Sequence, residues 1–147
     1  MADRVIYSDL ELFLTGYIRR KLAAMPGQPF PGGFISNEFW VNNPAAPKPA
    51  PPFQIIVRDD SGPRTSRVTK SPTVGITILG SDTVNKIVIT NLGHTVFAIM
   101  EGCARVEPGN PVAAVLDATG PYKVVDESGQ PRRYMTFELS VVGTPFP

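Results

Sequence analysis

The chain holds one cysteine, one histidine and one tryptophan in 147 residues. A single cysteine excludes an internal disulfide framework, so the fold does not depend on an oxidising compartment. His94 and Cys103 alone cannot make a Cys/His zinc set. Net charge is nearly absent as well: 14 Lys and Arg against 13 Asp and Glu leave +1. That balance argues against a generally basic nucleic-acid binder, although a local patch stays open. No run approaches the roughly 18 apolar residues of a membrane span. The start, MADRVIYSDLELF, has early charges and no apolar stretch of the signal-peptide kind. These absences predict a soluble intracellular protein with no membrane contact.

What is present predicts one globular domain over 1–147. Apolar residues make up 42% and charged residues 18%, enough for a single core at this length. Sixteen prolines and thirteen glycines are many. Proline concentrates in Pro44 to Pro52, so 43–52 is expected as an extended loop, since proline lacks an N–H and fixes φ. That loop is either a connector or a ligand for an aromatic groove. Residues 144–147 are expected as a short tail.

The most legible stretch is Tyr122 to Gly143. Tyr122–Val125 reads as a strand, Asp126-Glu127-Ser128-Gly129 as a turn, and Tyr134–Val142 as the return. Along the return, Tyr134, Thr136, Glu138 and Ser140 alternate with Met135, Phe137, Leu139 and Val141, the period of a strand with one face on a core. Gly129 suits the positive φ of such turns. Phe53–Arg67 carries similar chemistry: strand, Asp59-Asp60-Ser61-Gly62 turn, and a polar return from Arg64 to Thr69. Two hairpins of like design are therefore expected.

The other elements follow in order. Ser8 and Glu11 fit a capping box, ahead of Leu10, Phe13, Leu14, Tyr17, Ile18 and Leu22 at helical spacing. A helix from Ser8 to Ala24 is expected, with Arg19, Arg20 and Lys21 suiting its C-terminal dipole or a nucleic acid. Phe34–Val41 reads as a short strand, and its Trp40 as a core or interface anchor. Phe53–Arg58 is expected to be covered in part on both faces. Ser71-Pro72 breaks the chain before a β-branched strand, Thr73–Leu79. Ser81 or Asp82 should cap a second helix with Val84, Ile87, Val88, Leu92, Val96, Ile99, Met100 and Cys103 on its apolar stripe. Val112–Leu116 is a short strand and Ala118–Pro121 a turn. The order predicts an α+β fold: a mixed or antiparallel sheet, two helices packed on one face, and two β-hairpins.

No catalytic constellation emerges. His94 has no candidate nucleophile beside it, and Cys103 falls on an apolar stripe. Asp59-Asp60 and Asp126-Glu127 suit either a hard cation or their own turns. No phosphate-binding glycine loop with its lysine occurs. No catalytic, cofactor-binding or metal-binding residue is assigned, and no cofactor is expected. The candidate interaction residues are the charged groups of the turns, Arg58, Asp59, Asp60, Arg64, Arg67, Asp126, Glu127, Arg132 and Arg133, together with Trp40. They make either weak ion pairs within each hairpin or contacts between copies in a ring.

The block IIVRDDSGPRTSRVTKSPTVGITILGSD ahead of a helix, and the closing GPYKVVDESGQPRRYMTFELSVVG, resemble tail terminator proteins of long-tailed (siphovirus-like) bacteriophages. The resemblance runs from Ser8 to Gly143. It implies a homo-oligomeric ring, hexameric in that family, that caps the tail tube protein and ends tail polymerisation. It also implies docking of the head–tail connector or head-completion protein, with genomic DNA passing through the lumen without sequence-specific binding. The expected location is the virion, in the neck region of the tail, after assembly in the host cytoplasm. The expected mode is binding without turnover. Another phage neck component, a head-completion or connector protein, is the alternative, and a small enzyme using His94 or the paired carboxylates is the third.

Overall fold

The computed structural model describes residues 4–37, 51–81, 85–125 and 129–146. Trp40, Val84, Asp126, Glu127 and most of the proline-rich stretch lie outside these residues, as does Asp82. The elements are β1 (Arg4–Ile6), α1 (Leu10–Ala23), β2 (Phe34–Ser36), β3 (Phe53–Asp59), β4 (Thr69–Lys70), β5 (Thr73–Gly80), α2 (Lys86–Glu101), β6 (Val112–Val124), β7 (Arg132–Val142) and β8 (Thr144–Phe146).

The main sheet runs β2-β3-β5-β7-β6, with β2 parallel to β3 and the other pairs antiparallel. The short β4 pairs with Val141 and Val142 of β7, extending the line of β5 beyond the break at Ser71-Pro72. Strict alternation sorts the sheet into two faces. Ile55, Val57, Val74, Ile76, Ile78, Met135, Phe137, Leu139 and Val141 share one core with Leu14 and Ile18 of α1 and Ile89, Leu92, Val96 and Met100 of α2. Both helices therefore lie on one face, and the α+β expectation holds. Each fully buried aliphatic side chain here contributes about 1.5–3 kcal/mol relative to exposure. At the β2 side the second face is closed too, since Gln54, Ile56, Thr77 and Leu79 are also buried.

Several local expectations are corrected. The cap of α1 is Asp9, whose carboxylate accepts from Leu12 N at 3.0 Å, in place of Ser8. Glu11 does not reach back to close a capping box. Its carboxylate accepts from Asp59 N at 2.8 Å and Asn37 Nδ2 at 3.1 Å, clamping the helix start to the end of β3. In α2 the cap is Asn85, accepting from Ile87 N at 2.8 Å, and not Ser81. The buried stripe is Ile89, Leu92, Val96 and Met100. Ile87, expected inward, is 66% exposed, because Ile89 takes the core position one turn before Leu92. Of Phe34–Val41, the strand spans Phe34–Ser36, and 38–41 lie outside the described residues.

The expected turn at Ala118–Pro121 is no turn. β6 runs from Val112 to Val124 as one strand, and its register against β7 shifts between Thr119 and Tyr122, where the Gly120-Pro121 bond is cis. A bulge absorbs the extra residues without ending the pairing. The upstream hairpin also differs from its expected form. β3 pairs with β5, Asp59 opposite Val74 and Phe53 opposite Gly80, so the chain returns through Thr73–Gly80. Arg64–Thr69 is an excursion, held by Ser71 N to Pro63 O at 2.9 Å and Thr73 N to Ser61 O at 3.0 Å. The segment expected as a tail forms β8, pairing antiparallel with β1.

Cys103 is fully buried below α2, and burial pushes its thiol up to about 11. A thiol held neutral in the fold contributes stability that is complete below the unfolded thiol pKa near 9 and disappears as pH rises through about 11. Wild type should therefore lose up to about 3 kcal/mol more than Cys103→Ala between pH 9 and 11. Urea unfolding of both proteins across that range measures the difference. Parallel curves would contradict it.

Candidate functional site

The charged residues singled out by sequence do not form one patch. Along the shared strands, Asp59 lies opposite Val74, whereas Arg132 lies opposite Leu79. Five residues of strand separate those levels by roughly 17 Å. Arg58, Asp59, Asp60, Arg64 and Arg67 gather toward the β1–β8 end of the sheet. Arg132 and Arg133 sit at the opposite end, where α2 begins.

From the first end toward the middle of the sheet, the face turned away from the helices carries a compact cluster. Arg58 Nε donates to Asp60 Oδ1 at 2.7 Å, and Nη2 donates to Oδ2 at 3.3 Å. Asp60 raises the guanidinium pKa first through this hydrogen bond and then through its charge. The pair is exposed, so it adds little to stability and mainly fixes the guanidinium plane. Arg58 Nη2 also reaches the Tyr134 hydroxyl at 3.5 Å. The Tyr134 ring lies across Gly75, where a Cβ would stand 2.5 Å from its oxygen. Tyr122 of β6 packs edge-on against Tyr134, with ring centroids 5.6 Å apart at 77°. Farther along β7, Ser71 Oγ donates to Glu138 Oε1 at 2.9 Å.

Asp59 serves its own turn, accepting from Ser61 N at 2.8 Å. Arg64 bridges Lys70 through the backbone and is exposed, as is Arg67. The loop around them is tied by hydroxyls, with Thr69 Oγ1 2.8 Å from Thr65 Oγ1 and 2.6 Å from Ser66 Oγ. Arg133 turns to the helix side, donating from Nη2 to Thr90 Oγ1 at 2.9 Å and from Nη1 to Arg132 O at 3.2 Å. Trp40, Asp126 and Glu127 lie outside the described residues.

Tyr122 and Tyr134 are members of this cluster that sequence reasoning passed over as strand residues. The alternation placed Tyr134 on the non-core face, but the bulge hid that Tyr122 stands directly opposite it. Tyr and Arg grouped on an exposed surface are the composition enriched where proteins bury surface against partners.

His94 is exposed on α2 in a shallow apolar dip with Lys21, Met25, Thr95, Ala98 and Ile99. Among the described residues, no three His, Cys, Asp or Glu side chains are placed to share a metal ion. No helix among those residues is long and apolar enough to cross a membrane. No family model matches the chain, and no curated protein matches it either.

Proposed function

We propose that this protein is a structural subunit of a phage tail neck, a tail terminator that acts as a ring. In this reading it binds the last tier of the tail tube, ends polymerisation, and offers the docking surface for the head–tail connector. The ring surrounds a lumen through which DNA passes without sequence-specific contact. The action is stoichiometric binding, with no turnover. Its place is the virion, after assembly in the host cytoplasm.

The observation that supports the reading best is the surface around Arg58, Asp60, Tyr122 and Tyr134. It is polar, aromatic and largely open, it faces away from both helices, and its guanidinium is already oriented. Heterologous ring contacts need two different faces on each copy. The Arg58, Asp60, Tyr122 and Tyr134 surface is taken as one, and the exposed Arg64–Thr69 excursion as the other.

Reversing both charges in R64E/R67E tests this. Both side chains are exposed, so folding should be unchanged by circular dichroism. Native mass measurement with the tube protein should show loss of the ring, and tails assembled with the variant should be overlong. A full ring and normal tail length would overturn the assignment of these residues. Normal tails that lack heads would instead indicate a connector.

A further inference from the structure

The outer face of α2 carries almost no charge. From Ile87 to Met100 the helix has no Asp, Glu, Lys or Arg. Its core stripe is Ile89, Leu92, Val96 and Met100. On the opposite side Ile87, Asn91, His94, Ala98 and Glu101 recur at steps of four and three residues, one line along the helix, and all five are exposed. A surface helix normally turns charged residues to water along such a line. We propose that this face is an isologous contact between two copies of the chain, α2 packed on α2 in antiparallel order.

The charges at the two ends of the helix point to a second copy as the occupant. Lys86 opens α2 and Glu101 closes it, both exposed. The first turn has no acidic residue and the last turn no basic one. Each charge therefore sits at the dipole end of its own sign, Lys86 at the positive N-terminus and Glu101 at the negative C-terminus. Within one chain that placement is unfavourable. A twofold axis through the middle of α2 reverses it. Glu101 of each copy then meets Lys86 and the helix N-terminus of the other, and the two dipoles oppose. A neighbour in parallel orientation gains neither contact.

The shape of the face suits the same pairing. A shallow dip of about 540 Å³ lies between the helices, lined by Lys21 and Met25 from the end of α1 and just beyond it, and by His94, Thr95, Ala98 and Ile99 of α2. With the axis beside His94, Ile87 of one copy stands level with Ala98 to Met100 of the other, next to this dip. Ala98 keeps the line low, which lets two helix axes approach closely. The sixteen residues of α2 span about 24 Å, so one helix pair covers less than the roughly 800 Å² per partner of a standard interface. The dimer is accordingly weak, with a Kd of about 10–100 µM. It does not rest on the ring reading, because it uses the helix side of the sheet and the Arg58–Tyr134 surface faces the other way.

Sedimentation equilibrium of the full chain from about 5 to 500 µM brackets that Kd and tests the dimer. Wild type should pass from monomer to dimer across the range and stop there. I87E and A98R, both at exposed positions, should leave circular dichroism unchanged and weaken association by at least about tenfold. K86E and E101K should each weaken it by about 3–10-fold, and K86E/E101K should return to within about threefold of wild type, since the ends then complement each other again. R64E/R67E should leave the dimer intact, which separates a failure here from a failure of the ring. A monomer at every concentration, a dimer untouched by I87E and A98R, or no recovery in K86E/E101K would overturn the proposal. So would association that continues past the dimer, or a monomer that binds the tube protein through Ile87, since the face would then belong to that partner.

Discussion

Replacing Gly62 by alanine will destabilise the fold by about 2–4 kcal/mol, while Gly129→Ala will cost only about 1 kcal/mol. Both glycines follow an acidic pair and a serine, and the two stretches look interchangeable in the sequence. Their structural demands differ. Gly129 has φ +78° with nothing among the described residues within 4 Å of a Cβ, so the penalty is conformational. A Cβ on Gly62 would lie 1.8 Å from the carbonyl oxygen of Ser71 and 2.9 Å from the Cα of Pro72. That neighbour is backbone and cannot rotate away. To make room, the chain must part where Asp60 N meets Thr73 O at 2.9 Å, Thr73 N meets Ser61 O, and Ser71 N meets Pro63 O. Each such bond contributes about 0.5–1.5 kcal/mol net. In thermal melts the midpoint should fall by roughly 5–15 °C for Gly62→Ala and by 2–4 °C for Gly129→Ala. Equal shifts would mean that the two turns are alike after all.

That contrast marks where the sequence was legible. The return strand could be read because Met135, Phe137, Leu139 and Val141 alternate without interruption and face one core. The apolar stripe of the first helix was equally clear, and so was the Ser71-Pro72 break. What failed was pairing. Arg64–Thr69 follows a turn and resembles a return strand, yet β3 binds β5, because Val74, Ile76 and Ile78 can bury a whole face and the polar segment cannot. Caps were misplaced by one or several residues, since Ser8 and Asp9 are chemically equivalent candidates and only geometry chooses between them. Gly120-Pro121 read as punctuation, whereas here it is a bulge inside a strand. The candidate contacts followed the same rule. Arg58 and Asp60 are two residues apart and could be paired on paper, but Tyr122 gains its partner only through the shifted register of β6.

Phe137→Ala should produce the other large loss, about 3–5 kcal/mol. Phe137 is 1% exposed and sits in β7, the strand flanked by β5 on one side and β6 on the other, opposite both Val74 and Ala118. Its ring packs 5.3 Å from that of Phe97 on α2, tilted by 42°. The side chain therefore joins sheet to helix at the centre of the core. Removing it leaves a cavity walled by two β ladders, which cannot close without breaking backbone hydrogen bonds. A domain of this size has about 5–15 kcal/mol of total stability, so the variant should retain a fold with a much lower urea midpoint and an unchanged slope. Phe137→Leu keeps most of the volume and should cost less than half as much. Phe146, 46% exposed on β8, is the control: Phe146→Ala should cost under about 1 kcal/mol. If it matched Phe137→Ala, the weight of the core would lie in the β1–β8 ribbon, contrary to the packing described. The double variant with Phe97→Ala should fall short of the sum of its single effects, because the two rings share one contact.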